Sequence, residues 1–165
     1  MAQITLRGNP INTNGELPAP GTKAPAFSLV KTDLSALDSQ DLAGKRVILN
    51  IFPSIDTPVC QLSAKAFNSK AGALDNTLVV CTSMDLPFAL NRYCGAEGLD
   101  QVVPASAFRS DFASDYGVKM SDGPLAGLTA RAVVVIDENG TVKHAELVGE
   151  IADEPDYDAA LASLS

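Results

Sequence analysis

A chain of 165 residues, 46% hydrophobic and 19% charged, has the composition of one folded domain spanning residues 1–165. At that length about two-thirds of the unfolded surface is buried without help from disulfides or metals. Lys and Arg number 12 against 20 Asp and Glu, and the net charge of −8 disfavours nucleic acid and anionic membranes as partners. Three cysteines, one histidine and no C-x-x-C pair exclude a secreted disulfide framework and a Cys/His zinc cage, and no cofactor is expected. The opening MAQITLRGNPINTNG holds no apolar leader core, and no window reaches about 18 consecutive apolar residues, so a soluble cytoplasmic chain is expected.

Gln3 to Arg7 alternates, with Ile4 and Leu6 on one face, and Gly8-Asn9-Pro10 offers a turn before Ile11 to Thr13. This predicts a small N-terminal hairpin within residues 1–17. Gly15 to Pro25, with Pro18, Pro20 and Pro25, reads as an extended connector. Phe27 to Val30 is a short predicted strand. The near-continuous apolar run Val47 to Phe52 reads as a strand buried on both faces, and Pro53 stops it. Helix is predicted over Val59 to Lys70, with Leu62, Ala66 and Phe67 on one stripe. Leu78 to Cys81 is a second buried strand, and helices are predicted over Pro87 to Cys94 and Ala105 to Tyr116. Ala132 to Asp137 is a third strand, Glu138-Asn139-Gly140 a hairpin turn, Thr141 to Val148 the returning strand and Asp156 to Leu164 a closing helix. The alternation predicts an α/β sheet with helices on both faces.

The chemistry concentrates in Pro53-Ser54-Ile55-Asp56-Thr57-Pro58-Val59-Cys60, between a buried strand and a helix, where open α/β sheets place their sites. Thr57 suits an N-cap and Pro58 the first helical position, which puts Cys60 in the first turn. Unpaired amides and the helix dipole there favour an anionic sulfur, whereas the plainer role for a lone cysteine is core packing. Asp56 opposes a thiolate unless it points away. His144 lies on a strand expected at the sheet edge and reads as a surface group. A thiol activated without histidine needs a fixed cation, and Arg131, immediately before an apolar strand, is the best placed. Ser63 stands where a C-x-x-C motif would carry its second cysteine, so a partner thiol must come from Cys81, in a buried strand and read as a core thiol, or Cys94, at a helix end beside Gly95 and therefore expected near a surface.

Pro53-x-x-x-Thr57-x-x-Cys60 resembles the active-site pattern of peroxiredoxins, and about 0.01 accidental occurrences are expected at this composition. The wider Pro53 to Cys60 string, Leu128 to Asp137, Glu154-Pro155-Asp156-Tyr157 and the N-terminal hairpin resemble the bacterial thiol peroxidase branch of that family.

The resemblance implies a thioredoxin-like fold with an extra N-terminal hairpin and a thiol-dependent peroxidase acting on hydroperoxides. It implies Cys60 as peroxidatic cysteine, with the Thr57 hydroxyl accepting from the peroxide and donating to the thiolate, Arg131 holding sulfur and peroxide, and Pro53 shielding the sulfur. Cys94, 34 residues downstream, fits the resolving cysteine of that pattern, supplied by the same chain. Thioredoxin as reductant and a homodimer as working unit are implied as well. A disulfide needs Cα atoms about 4.4–6.8 Å apart, so the reduced form is expected to hold the two sulfurs apart until both helix ends unwind. A protein-disulfide oxidoreductase and a redox-sensing module are the rival readings; Ser63 argues against the first, and slow oxidation without turnover would mark the second.

Overall fold

The computed structural model describes residues 1–71 and 74–164. The N-terminal hairpin pairs β1 (Gln3–Leu6) with β2 (Asn9–Asn12), in register from Gln3–Asn12 to Leu6–Asn9. Its turn is Arg7-Gly8, one step earlier than the expected Gly8-Asn9-Pro10, because Arg7 and Gly8 both adopt positive φ (50° and 82°). Such a turn matches the right-handed strand twist and leaves Pro10 inside the second strand.

The main sheet has seven strands. They are β3 (Ser28–Lys31), β4 (Ala36–Asp38), β5 (Arg46–Ile51), β6 (Thr77–Ser83), β7 (Val103–Ser106), β8 (Ala132–Ile136) and β9 (Val142–Leu147), in the order β4-β3-β7-β6-β5-β8-β9. The central β5, β6 and β7 are parallel; β3, β8 and β9 join antiparallel to their neighbours. Side chains alternate across this sheet. Ile48, Phe52, Val79, Cys81, Val133 and Val135 face one layer, where α1 (Pro58–Lys70), α2 (Pro87–Ala96) and α4 (Tyr157–Ala162) pack. Leu49, Ile51, Val80, Ala132 and Val134 face the other, covered by α3 (Phe112–Asp115) and by Ile4 and Ile11 of the hairpin. The sheet thus carries helices on both faces, in a thioredoxin-like, peroxiredoxin-type α/β fold.

The helix expected over Ala105 to Tyr116 is a correction. Val103–Ser106 is a strand, parallel to β6 (Cys81 opposite Pro104) and antiparallel to β3 (Val30 opposite Ser106). Only Phe112–Asp115 is helical. Ala and Ser carry little strand preference of their own, so here the neighbouring strands supply what local propensity does not. The helical spacing in that sequence comes from Phe112 and Tyr116, whose rings stack at 4.6 Å on one short turn. The strand β4 has no counterpart in the sequence reading; it is three residues long and depends on pairing with β3.

The helix carrying Cys94 also runs further than expected. Gly95 lies inside it, and the left-handed residue that ends it is Gly98, at φ +64°. The Leu99 amide then donates to the Cys94 carbonyl (2.9 Å), closing the helix end.

Candidate active site

Strand β5 delivers the chain to Phe52 and Pro53, both buried, and the loop Ser54–Thr57 turns into α1. Thr57 occupies the N-cap position and Pro58 the first helical position, as the sequence implies. The Thr57 hydroxyl nevertheless does not cap its helix. It donates to the Ser54 carbonyl (2.8 Å), while its own amide donates to the same oxygen (3.1 Å). Two consequences follow. The first-turn amides of α1 are not taken by a side-chain cap and stay available to an anion. The hydroxyl proton, expected from the sequence to face the sulfur, is spent on Ser54, and the exposed hydroxyl keeps its lone pairs as acceptors.

Cys60 is fully buried among Phe52, Ile55, Ala64 and Phe67. Arg131 reaches it. Residue 131 has the same parity as Val133 and Val135, so its side chain rises on the α1 face of the sheet. An Arg131 Nη2 hydrogen is donated to Cys60 Sγ at 3.4 Å, and Nε donates to the Ile151 carbonyl at 2.8 Å, which fixes the plane of the guanidinium. Thr129, fully buried two residues earlier, donates to the Phe52 carbonyl (2.6 Å) and ties this segment to the end of β5.

Arg131 is only 2% exposed, forms no salt bridge among the described residues, and its Nη1 is buried without a partner. A guanidinium stays charged in a protein, and burying such a charge without a counter-charge is costly. The side chain it donates to is that of Cys60.

Asp56 points away from that sulfur. Its carboxylate pairs with Arg92 of α2, with both side chains more than half exposed. His144 lies on β9 at the sheet edge, as expected, though it is half-buried with its Nε2 enclosed. Tyr157 opens α4, meets the Phe67 ring edge-on at 5.1 Å and donates to Glu154 Oε1 (2.8 Å); burial first, then that carboxylate, push its phenol well above the usual range.

The structure brings Cys60 and Arg131 together, with Thr57 and Pro53 in the adjoining loop. Cys94 belongs to the neighbouring α2, and all three cysteines are free thiols. The sequence expectation of a Cys94 near the surface is corrected: the side chain is 5% exposed and packs in the same apolar layer as Cys60. Burial pushes its thiol up to about 11. Cys81 lies fully buried in the core strand, as expected; burial pushes its thiol up to about 12, an effect partly offset by the Asn50 amide (3.6 Å). Ser63 is buried and donates to the Cys60 carbonyl (2.8 Å). Asp85, at the carboxyl end of β6, escaped the sequence reading; its carboxylate accepts hydrogen bonds from the Ser54–Ile55 loop. The available signal was Ser83-x-Asp85 closing a strand beside β5.

The Redoxin family profile matches residues 19–161. Thiol peroxidase of Mycobacterium tuberculosis is 60% identical over 164 residues, covering 99% of each chain, and that of Corynebacterium glutamicum is 52% identical over the full length of both. The solved structure of a peroxiredoxin-like protein from Aquifex aeolicus superposes with a TM-score of 0.92 at 35% identity, over 99% of this chain and 96% of the other. The chain belongs to the Redoxin family, on its peroxiredoxin branch. It is an enzyme of the thiol peroxidase type, similar over its whole length to the mycobacterial and corynebacterial proteins. Among the described residues no helix is long and apolar enough to cross a membrane, and no cluster of His, Cys, Asp and Glu is arranged to hold a metal ion.

Proposed function

We propose that Cys60 is the peroxidatic nucleophile of a cytoplasmic peroxidase that reduces hydrogen peroxide and organic hydroperoxides. The observation that carries this reading is the buried guanidinium of Arg131, with one N–H on Cys60 Sγ and Nη1 free. A thiolate at Cys60 neutralises the charge, and the free Nη1 can hold a peroxide oxygen where negative charge develops. The sulfur attacks one peroxide oxygen; the S–O bond forms as the O–O bond breaks, and the departing oxygen leaves as hydroxide or alkoxide and takes up a proton. Thr57, with its lone pairs open, accepts a hydrogen bond from the peroxide O–H, and Pro53, lacking an N–H, helps to keep water from the sulfur.

The resulting sulfenic acid condenses with the Cys94 thiol: an S–S bond forms and water leaves. Thioredoxin, by thiol–disulfide exchange, then returns both thiols. A buried thiol raised to about 11 is a poor nucleophile, so Cys94 reacts only after the end of α2 opens. Exposed Leu62 on α1 and Leu86 and Phe88 at the head of α2 support a docking surface for a second copy of the chain, in a homodimer.

The test is peroxide consumption coupled to thioredoxin and its reductase. Cys60→Ser is expected to abolish turnover, and full turnover in that variant refutes the assignment. Cys94→Ser is expected to leave one rapid oxidation per chain and to stop recycling through the intramolecular disulfide.

A further inference from the structure

Asp85 immediately precedes Leu86, the N-cap residue of α2, and α2 has no side-chain cap. The carboxylate turns instead to the loop in front of α1. Oδ1 accepts from the Ser54 hydroxyl (2.8 Å), and Oδ2 accepts from the Ile55 amide (2.7 Å) and the Ser83 hydroxyl (2.5 Å). Its backbone is anchored as well: the amide donates to Ser83 Oγ (3.1 Å), and the carbonyl accepts from the fully buried Ser106. The chain of contacts continues, since the Ser54 carbonyl accepts both the hydroxyl and the amide of Thr57, and Thr57 opens the helix that carries Cys60.

We propose that Asp85 is a positioning residue for the peroxide reaction. It acts through Ser54 and Ile55 to hold Thr57 at the mouth of the Cys60–Arg131 site. The inference rests on Cys60 being the reacting sulfur. Two features favour a positioning role over simple loop anchoring. The carboxylate is acceptor-only and takes three donors at once, whereas an amide there must turn the Ser54 hydroxyl from donor to acceptor and loses the charge assistance of all three contacts. The loop it holds contains no regular structure of its own, and the clamp ties its Ser54–Ile55 part to the end of β6, so the acceptor geometry at the site mouth follows it; displacements of about 1 Å at a reacting centre can cost about a hundred-fold in rate.

Two reagents separate the possibilities. Iodoacetamide reads the sulfur as a general nucleophile, whereas hydrogen peroxide also needs the surrounding donors and acceptors. In Asp85→Asn the second-order rate constant for Cys60 oxidation by hydrogen peroxide is expected to fall at least about ten-fold, with alkylation by iodoacetamide staying within about three-fold. Ser54→Ala, which removes one of the two loop contacts, is expected to show the same selective loss at smaller size, and it serves if Asp85→Asn does not fold. Peroxide and iodoacetamide rates falling in parallel, or an unchanged peroxide rate beside a lowered melting temperature, overturns the proposal. Cys60→Ser run alongside keeps the two ideas apart. Its continued consumption of peroxide refutes the Cys60 assignment, whereas an inert Cys60→Ser beside a fully active Asp85→Asn refutes only the clamp.

Discussion

The two sulfurs that the proposed reaction joins are held in contrasting ways. Around Cys60 the contacts are buried and tied to the sheet: Arg131 through the Ile151 carbonyl, Thr129 on the Phe52 carbonyl, and Ser63 between the Asn50 amide and the Cys60 carbonyl. Around Cys94 the burial is nearly as complete, but beyond the apolar packing of Leu90, Tyr93 and Cys94 the polar ties of α2 are weak. Arg92 pairs with Asp56, Glu97 with Lys65 (3.3 Å), and the Tyr93 hydroxyl makes a long contact to the Gln61 carbonyl (3.4 Å). Solvent-exposed ion pairs contribute only about 0.2–1 kcal/mol each, whereas breaking a buried network leaves polar groups stranded at several times that cost. The difference teaches where opening costs least: the sulfur proposed to meet peroxide is fixed from the sheet, and the thiol proposed to travel sits on a helix whose outer polar ties are weak.

The sharpest way to break this comparison is to remove the fixed charge. Arg131→Met deletes both the donor on Cys60 Sγ and the free Nη1, and peroxide oxidation of Cys60 is expected to slow about 10²–10³-fold by stopped-flow measurement. Because the substitution also removes an uncompensated buried charge, folding stability is expected to change far less than activity does. Equal loss of both would mean that Arg131 serves the core.

Alkaline pH acts on the other side of the comparison. Cys94 and Cys81 stand at about 11 and about 12, above the ordinary 9.0, because burial penalises their thiolates. The folded state therefore keeps protons that an opened segment releases, so its stability is fully present below about pH 9 and declines as pH rises toward 11–12. Hydrogen exchange at the end of α2 is expected to accelerate through this window more than exchange in β5; a uniform response would erase the contrast.

The smallest effect is expected from the outer ties. Arg92→Ala removes one exposed ion pair, and disulfide formation after a peroxide pulse is expected to speed up by at most about five-fold, with Cys60 oxidation itself unchanged. A slower second step would show that the pair assists closure.

How much of this was legible beforehand depends on how local each cause is. Thr57-Pro58 announces the start of α1, and the run Val47 to Phe52 announces a buried strand, because capping, proline geometry and apolar runs act over a few residues. Ala105 to Tyr116 was misread, because its first part becomes a strand only through β6 and β3 lying on either side. Gly95 beside Cys94 looked like a helix end, yet the chain continues to Ala96 and turns at Gly98.

From sequence alone came the family pattern, the helix start that lifts Cys60 into a first turn, and Arg131 as the best-placed cation, just before an apolar strand. Tertiary structure decided the rest: the burial of Cys94, the direction of Asp56, the diversion of the Thr57 hydroxyl to Ser54, and the Asp85 clamp. Those depend on which donors and acceptors meet across strands and helices distant in the chain. A hydrogen bond or a buried charge takes its meaning from its partner, and the partner is known only once the chain has folded.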